Sequence, residues 1–252
     1  MPGALEGRRA VITGASSGIG EATAVAFAKE GASVALGARR KDRLEDLVGG
    51  IVADGGSAAA YEVDVGDEQA ARSFVERAAD QMSGVDILVN NAGVMLLGPI
   101  EGADVDEWRR MVDVNLLGLL YCTHAALPIM REGGGGHVIN VSSVAGRNAN
   151  FGSGVYNLTK FGVVAFSESL RQEAVVSKSG VRVTCVEPGF VGTELQGHNE
   201  NPAVVENIEK MRGQIGEVLT AEDIANAVVY AVGQPDRVAI NEILIRPQGQ
   251  LR

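Results

Sequence analysis

Short runs rich in Val, Ile and Ala alternate with longer stretches of helical period from one end of the chain to the other. The runs Arg9–Thr13, Ser33–Ala38, Ala58–Val63, Asp86–Asn90, His137–Ser142, Arg182–Glu187 and Ala239–Arg246 predict seven strands. Several are near-continuously apolar, among them Ile87-Leu88-Val89 and Val183-Thr184-Cys185-Val186, the pattern of strands covered on both faces. Helical spacing falls between them, near 18–30, 41–53, 67–82, 104–131, 154–177, 203–215 and 221–233. Strand and helix in turn, with short connections, predict a doubly wound α/β fold: a parallel sheet with right-handed crossovers and helices on both faces. No composition shift or internal repeat divides the chain, so residues 1–252 are expected to form a single domain.

The pattern lengthens only at 192–218. Val204, Ile208, Met211, Ile215 and Val218 recur at steps of 4, 3, 4 and 3, one apolar face of a helix. They follow a Gly-, Asn- and His-containing stretch, Gly192 to Asn201, that is able to hinge. An insertion beyond a strand's carboxyl end lies where ligands bind in such sheets. An ordinary surface helix and a substrate lid are both open readings.

Composition removes some partners. A formal charge of −10, with no basic run beyond Arg39-Arg40-Lys41, argues against nucleic acid and anionic membrane surfaces. The stretch Met1 to Arg9 lacks the charged-then-apolar order of a secretory signal, and no apolar stretch nears the ~18 residues of a membrane span. A cytoplasmic protein is expected. Cys122 and Cys185 each sit in an apolar run and read as buried small hydrophobes rather than a disulfide. His124, His137 and His198 show no metal-ligand spacing with each other or with the cysteines, so no metal is expected.

Two clusters carry chemistry. The segment Thr13-Gly14-Ala15-Ser16-Ser17-Gly18-Ile19-Gly20 follows the first predicted strand and opens the first helix. Gly14 allows a tight turn, Gly18 admits close approach of a pyrophosphate, and Gly20 lets helix and strand pack. The free N–H groups of Ser16, Ser17, Gly18 and Ile19 and the positive end of the helix dipole then face an anion. This predicts a dinucleotide. The second strand ends at Ala38, about 18 residues beyond Gly20, where an NAD enzyme carries an acid; here Arg39 and Arg40 follow. A guanidinium binds a 2′-phosphate that a carboxylate would repel, so NADP(H) is expected, with Arg39 as main contact and Arg40 secondary.

The second cluster is Tyr156-Asn157-Leu158-Thr159-Lys160, with Ser143 thirteen residues before the tyrosine. On a helix Tyr156 and Lys160 are i and i+4 and share a face. A lysine against a phenol is expected to lower its pKa from about 10 toward working pH, which suits proton exchange with a carbonyl or alcohol.

With these residues in place the chain resembles the short-chain dehydrogenase/reductase family over essentially its whole length. The resemblance rests on Thr13-Gly14-x-x-x-Gly18-x-Gly20, Asn90-Asn91-Ala92-Gly93, Asn115, Ser143 with Tyr156-x-x-x-Lys160, and Pro188-Gly189 followed by Thr193. It implies a Rossmann-like seven-stranded fold and a hydride-transferring oxidoreductase acting on a small carbonyl or alcohol. The segments Val94–Pro99 and Glu242–Pro247 resemble most the branch containing clavulanate and 3-hydroxy acid dehydrogenases. The family implies Asp64 and Val65 at the adenine, Asn90 near the adenosine ribose and helping to fix the fourth strand, and Ala92 and Gly93 along the cofactor. It implies Pro188, Gly189, Val191 and Thr193 around the nicotinamide carboxamide. Ser143 and Tyr156 would bond the substrate oxygen, Lys160 the nicotinamide ribose, and Asn115 a water in the proton relay; Asn115 reads equally as a cap or kink of its helix.

The substrate class stays open among aldehyde, ketone and 3-oxo or 3-hydroxy acid. Arg147 is the one cation near Ser143 that could bind a carboxylate, or else a solvated loop residue; Val94–Leu97 and Phe151 suggest an apolar pocket. The alternative function is a non-catalytic NADP(H)-binding sensor or scaffold. The resemblance also implies a homo-oligomer, most often a tetramer, built on helices 104–131 and 154–177, with Leu158, Phe161, Ala165 and Phe166 as surplus apolar surface.

Overall fold

The structure, a computed structural model, describes residues 3–251. Seven parallel strands form one sheet: β1 (Arg9–Thr13), β2 (Ser33–Ala38), β3 (Ser57–Glu62), β4 (Ile87–Asn90), β5 (Gly136–Val141), β6 (Val181–Pro188) and β7 (Glu242–Ile245). Their spatial order is β3-β2-β1-β4-β5-β6-β7. The order reverses at β1/β4, and the loops leaving the carboxyl ends of those strands diverge there to open a crevice. All seven expected strands form, most with ends moved by a residue. The last is shorter than the predicted Ala239–Arg246.

Alternation along each strand sends neighbouring residues to opposite faces. Ile12, Leu36, Ile87, Val89, Ile139 and Val186 point to the side covered by α1 (Gly18–Lys29), α2 (Lys41–Ala53) and α8 (Ala221–Val232). Val11, Ala35, Leu88, Val138 and Val183 point to the side of α3 (Glu68–Met82), α5 (Gly118–Glu132) and α6 (Gly154–Ser177). Both clusters are fully enclosed, which is why these strands read as apolar without period. Cys122 and Cys185 are buried and unpaired, as expected.

The predicted helix 104–131 is α4 (Val105–Val112) running through a π-helical turn (Asp113–Leu117) into α5. At that turn the Gly118 N–H donates to the Asp113 carbonyl, five residues back. The whole stretch Val105–Glu132 is long and apolar enough by composition to cross a membrane, a length the sequence reading did not register. In the fold α5 packs against α3, β4 and β5 as a core helix. Beyond β6, a short 3-10 turn (Glu194–His198) leads to α7 (Pro202–Ile215). Phe166, expected on the surplus face of α6, packs instead into the core with Leu119 and Val163. Leu158 and Phe161 remain exposed.

Candidate active site

A cavity of about 640 Å³ lies across the carboxyl ends of the strands. Its floor is the turn after β1. Gly14 has φ +65°, and a Cβ there would meet Ala92 Cα at 2.7 Å; Gly18 has φ +58° and lies against Thr193. Only glycine satisfies both demands. Ser17 occupies the N-cap of α1 in extended conformation, yet its side chain does not cap the helix. Its hydroxyl accepts from Arg40 Nη2 at 2.7 Å instead. The first-turn N–H groups of α1 are thus left toward the cavity, the geometry an anion requires.

Ser16, Ile19, Asp64, Val65, Ala92, Gly93, Pro188, Gly189, Val191 and Thr193 all line this cavity, together with Ser143, Tyr156 and Lys160. Three expected site residues do not. Gly20 lies behind the wall, where a Cβ would strike the Gly14 carbonyl at 2.4 Å, so it serves packing alone. Asn90 is buried, donating to Thr123 Oγ1 and Asn140 Oδ1, and so fixes β4 to its neighbours below the cavity, as expected of it. Asn115 is buried at the π-helical turn. Its Oδ1 accepts from Val94 N–H, and its Nδ2 donates to the Val94 carbonyl and Thr159 Oγ1. The side-chain amide is therefore occupied in fixing the loop after β4.

Residues the sequence reading passed over hold the walls in place. Thr13 Oγ1 accepts from the N–H groups of Asn91 and Ala92, and Asn91 Nδ2 donates to the Thr13 and Gly14 carbonyls. Asn157 donates to the Ala145 and Asn148 carbonyls and so shapes the loop carrying Ser143. Asn199 bridges the two mouth loops, accepting from Leu97 N–H at 2.7 Å and donating to the Met95 carbonyl at 3.1 Å. Thr13, Asn91 and Asn157 lay inside quoted motifs, and Asn199 inside the Gly192–Asn201 stretch, without a role of their own.

At the reactive end, Ser143 caps a 3-10 turn, its Oγ accepting from Ala145 N–H at 3.1 Å. Tyr156 and Lys160 project from one face of α6 and both are buried. Lys160 Nζ donates to the Val141 carbonyl at 3.0 Å and lies 5.8 Å from the Tyr156 ring centroid. The expected lowering of the tyrosine pKa does not occur. Burial pushes the phenol up to about 12, opposed only by the neighbouring Ser143 hydroxyl. Burial also lowers Lys160 to about 8. Desolvation disfavours both charged forms, and the ammonium is spent on a carbonyl rather than on the phenolic oxygen.

The basic end differs from expectation in detail. Arg39 is exposed at the cavity edge and forms no hydrogen bond or ion pair among the described residues. Arg40 is held by Ser16 Oγ, Ser17 Oγ and Glu194. Arg147 is partly exposed but not a free loop cation: it pairs with the fully buried Glu187 and with Glu242 and does not line the cavity. Phe151 is 95% exposed and outside the cavity, whose apolar wall is built by Val94, Met95, Leu97, Phe190, Ile208 and Met211. Residues of α7 thus line the cavity with the predicted apolar face.

A doubly wound sheet, a glycine turn under a helix start and a buried Tyr/Lys pair beside a serine define a nucleotide-linked oxidoreductase site. The chain belongs to the short-chain dehydrogenase family: residues 8–203 match the family described as short chain dehydrogenase. It is 43% identical over 248 residues to glycine betaine reductase of Emericella nidulans, covering 98% of this chain but only 19% of that much longer protein. A serine dehydrogenase in closed form with NADP+ superposes with a TM-score of 0.88 at 34% identity, covering 97% of this chain and 96% of that one. An alcohol dehydrogenase from Thermococcus sibiricus bound to 5-hydroxy-NADP superposes at 0.85 with 29% identity, covering 97% and 98%.

Proposed function

We propose that this chain reduces a small neutral aldehyde or ketone with NADPH, or oxidises the matching alcohol with NADP+. The observation that carries it is one cavity lined both by the glycine turn of α1 and by Ser143, Tyr156 and Lys160. The dinucleotide fits residues present: a cradle where a Cβ at Gly14 has no room, a helix start without side-chain cap, and the unpaired Arg39 for a 2′-phosphate. The serine and alcohol dehydrogenases, both solved with NADP forms, support the same cofactor.

When bound, NADPH supplies the hydride; the protein supplies orientation and protons. Tyr156, protonated throughout the neutral range, gives its proton to the carbonyl oxygen, and Ser143 donates a hydrogen bond to the same atom. Both bonds strengthen as negative charge gathers on that oxygen, which stabilises the transition state more than the bound substrate. Lys160, charged below about pH 8, places a positive potential beside the developing phenolate.

The substrate reading follows from Arg147. With that guanidinium committed to Glu187 and Glu242, Lys160 is the one cation at the reactive end among the described residues and it donates to the Val141 carbonyl, so the apolar wall favours an uncharged substrate over a 3-oxo acid. Residues 192–218 act as the substrate segment. Exposed Leu158 and Phe161 on α6 support a homo-oligomer, most simply a tetramer. The test is NADPH consumption across aldehydes, ketones and 3-oxo acids, with NADH in parallel. Turnover confined to 3-oxo acids, or a clear NADH preference, would overturn the reading.

A further inference from the structure

Arg39, Arg40 and Glu194 line the cavity's basic end, and Glu194 also reaches Arg43 outside the lining. Glu194 Oε2 accepts from Arg40 Nη1 at 2.8 Å and Glu194 Oε1 accepts from Arg43 Nη1 at 2.7 Å. Arg40 belongs to the loop after β2, Arg43 to α2, and Glu194 to the 3-10 turn beyond β6. The carboxylate therefore crosses from the substrate segment to the opposite wall. Both arginines and Glu194 are half-exposed, so the pairing is exchangeable rather than locked. Ser16 and Ser17 hold the other edge of Arg40 toward the glycine turn. Arg39, adjacent in sequence, has no carboxylate partner among the described residues.

This arrangement has a consequence for an incoming anion. A 2′-phosphate carries nearly two negative charges and seeks the same guanidinium donors that Glu194 occupies. One Nη1 hydrogen of Arg40 is already taken by Glu194, and a phosphate brought to the other lies close enough to the carboxylate for the two anions to repel.

Resting on the NADP(H) reading above, we propose that Glu194 competes with the cofactor's 2′-phosphate for Arg40 and Arg43, and so limits discrimination between NADP(H) and NAD(H). The residue lies 154 and 151 positions from Arg40 and Arg43 in sequence, on the segment that also builds the substrate wall. Cofactor choice is thus set not only at the end of β2 but also from across the cavity. Thr193, next to Glu194, already touches the glycine turn through its contact with Gly18. Exchange of Arg40 between the two anions acts directly on that junction.

The experiment measures Kd for NADPH and for NADH by fluorescence, at fixed ionic strength, in the wild type, Glu194→Gln and Asp42→Asn. Asp42 is an acid close to Arg43 that influences it through space without bonding to it. Glu194→Gln is expected to tighten NADPH by about two- to fivefold, the scale of a half-exposed ion pair, and to move NADH less than twofold. Asp42→Asn is expected to move neither by more than twofold. Unchanged or weakened NADPH binding in Glu194→Gln overturns the proposal, as does equal tightening of NADPH and NADH. Equal tightening of NADPH in Asp42→Asn also overturns it, because the effect would then belong to the diffuse field. A wild type that prefers NADPH beside an unresponsive Glu194→Gln defeats only this inference; a wild type that prefers NADH defeats the cofactor reading as well.

Discussion

Lys160 lies over the face of the Tyr156 ring, its Nζ 5.8 Å from the centroid, while its proton donation goes to the Val141 carbonyl. The pair is therefore electrostatic rather than hydrogen-bonded, and burial governs both partners. Carbonyl reduction needs the phenol protonated, a condition met up to about pH 12, and the lysine charged, a condition lost above about 8. The kcat for reduction is expected to be level through neutrality and to fall with a single limb near pH 8. A level profile to pH 10 would show that the lysine charge is not used.

The same burial predicts a stability effect. Lys160 titrates near 8 in the fold against 10.5 ordinarily, so between those values the folded chain binds fewer protons than the unfolded one. Its contribution to stability thus rises with pH across that window, and the charged lysine costs stability below it. Lys160→Met is expected to raise Tm at pH 7 by about 2–4 °C for each kcal/mol recovered, less at pH 10. The Val141 carbonyl loses its donor and offsets about 1 kcal/mol of the gain. A lower Tm at pH 7 than at wild type would contradict this.

Arg147 joins β6 and β7 through Glu187 and Glu242. Removing it strands a carboxylate that is 0% exposed; a buried pair so broken costs about 3–5 kcal/mol, and the 37% exposure of the Arg147 side chain reduces this to about 1–3. Arg147→Met is expected to destabilise by that amount in urea unfolding, and Glu187→Gln in the same background to restore part of it. The substrate KM should move less than twofold. A large KM change with unaltered stability would return Arg147 to the substrate.

Asn199 fastens the loop after β4 to the segment after β6. Asn199→Ala leaves the Leu97 N–H and Met95 carbonyl without that partner and loosens the cavity mouth. The carbonyl substrate's KM is expected to rise about fivefold or more with kcat within threefold and NADPH Kd unchanged. Loss of kcat alone would place Asn199 nearer the chemistry than the geometry does.

How much of this was legible in the chain depends on the range of each interaction. The strands announced themselves because Ile12 and Val11, or Leu88 and Val89, are enclosed on opposite faces and both must be apolar. Gly14 and Gly18 were legible because a tight turn and a close approach leave no alternative residue. Arg147 was not, since its partners Glu187 and Glu242 are 40 and 95 residues away and no local spacing encodes them. The motif marks the position of Asn115, but the bonds of its amide to Val94 and Thr159, 21 and 44 residues away, carry no local spacing signal. The direction of the tyrosine shift was missed because i and i+4 spacing says that two side chains meet, not how much water they lose.

Hydride-transfer chemistry with Tyr156 as the proton donor is tested most directly by Tyr156→Phe, which keeps the ring and removes only the hydroxyl. With a carbonyl substrate and NADPH at saturation, kcat is expected to fall at least ~100-fold while NADPH Kd stays within twofold. Turnover near that of the wild type, with the cofactor still bound, would contradict the account.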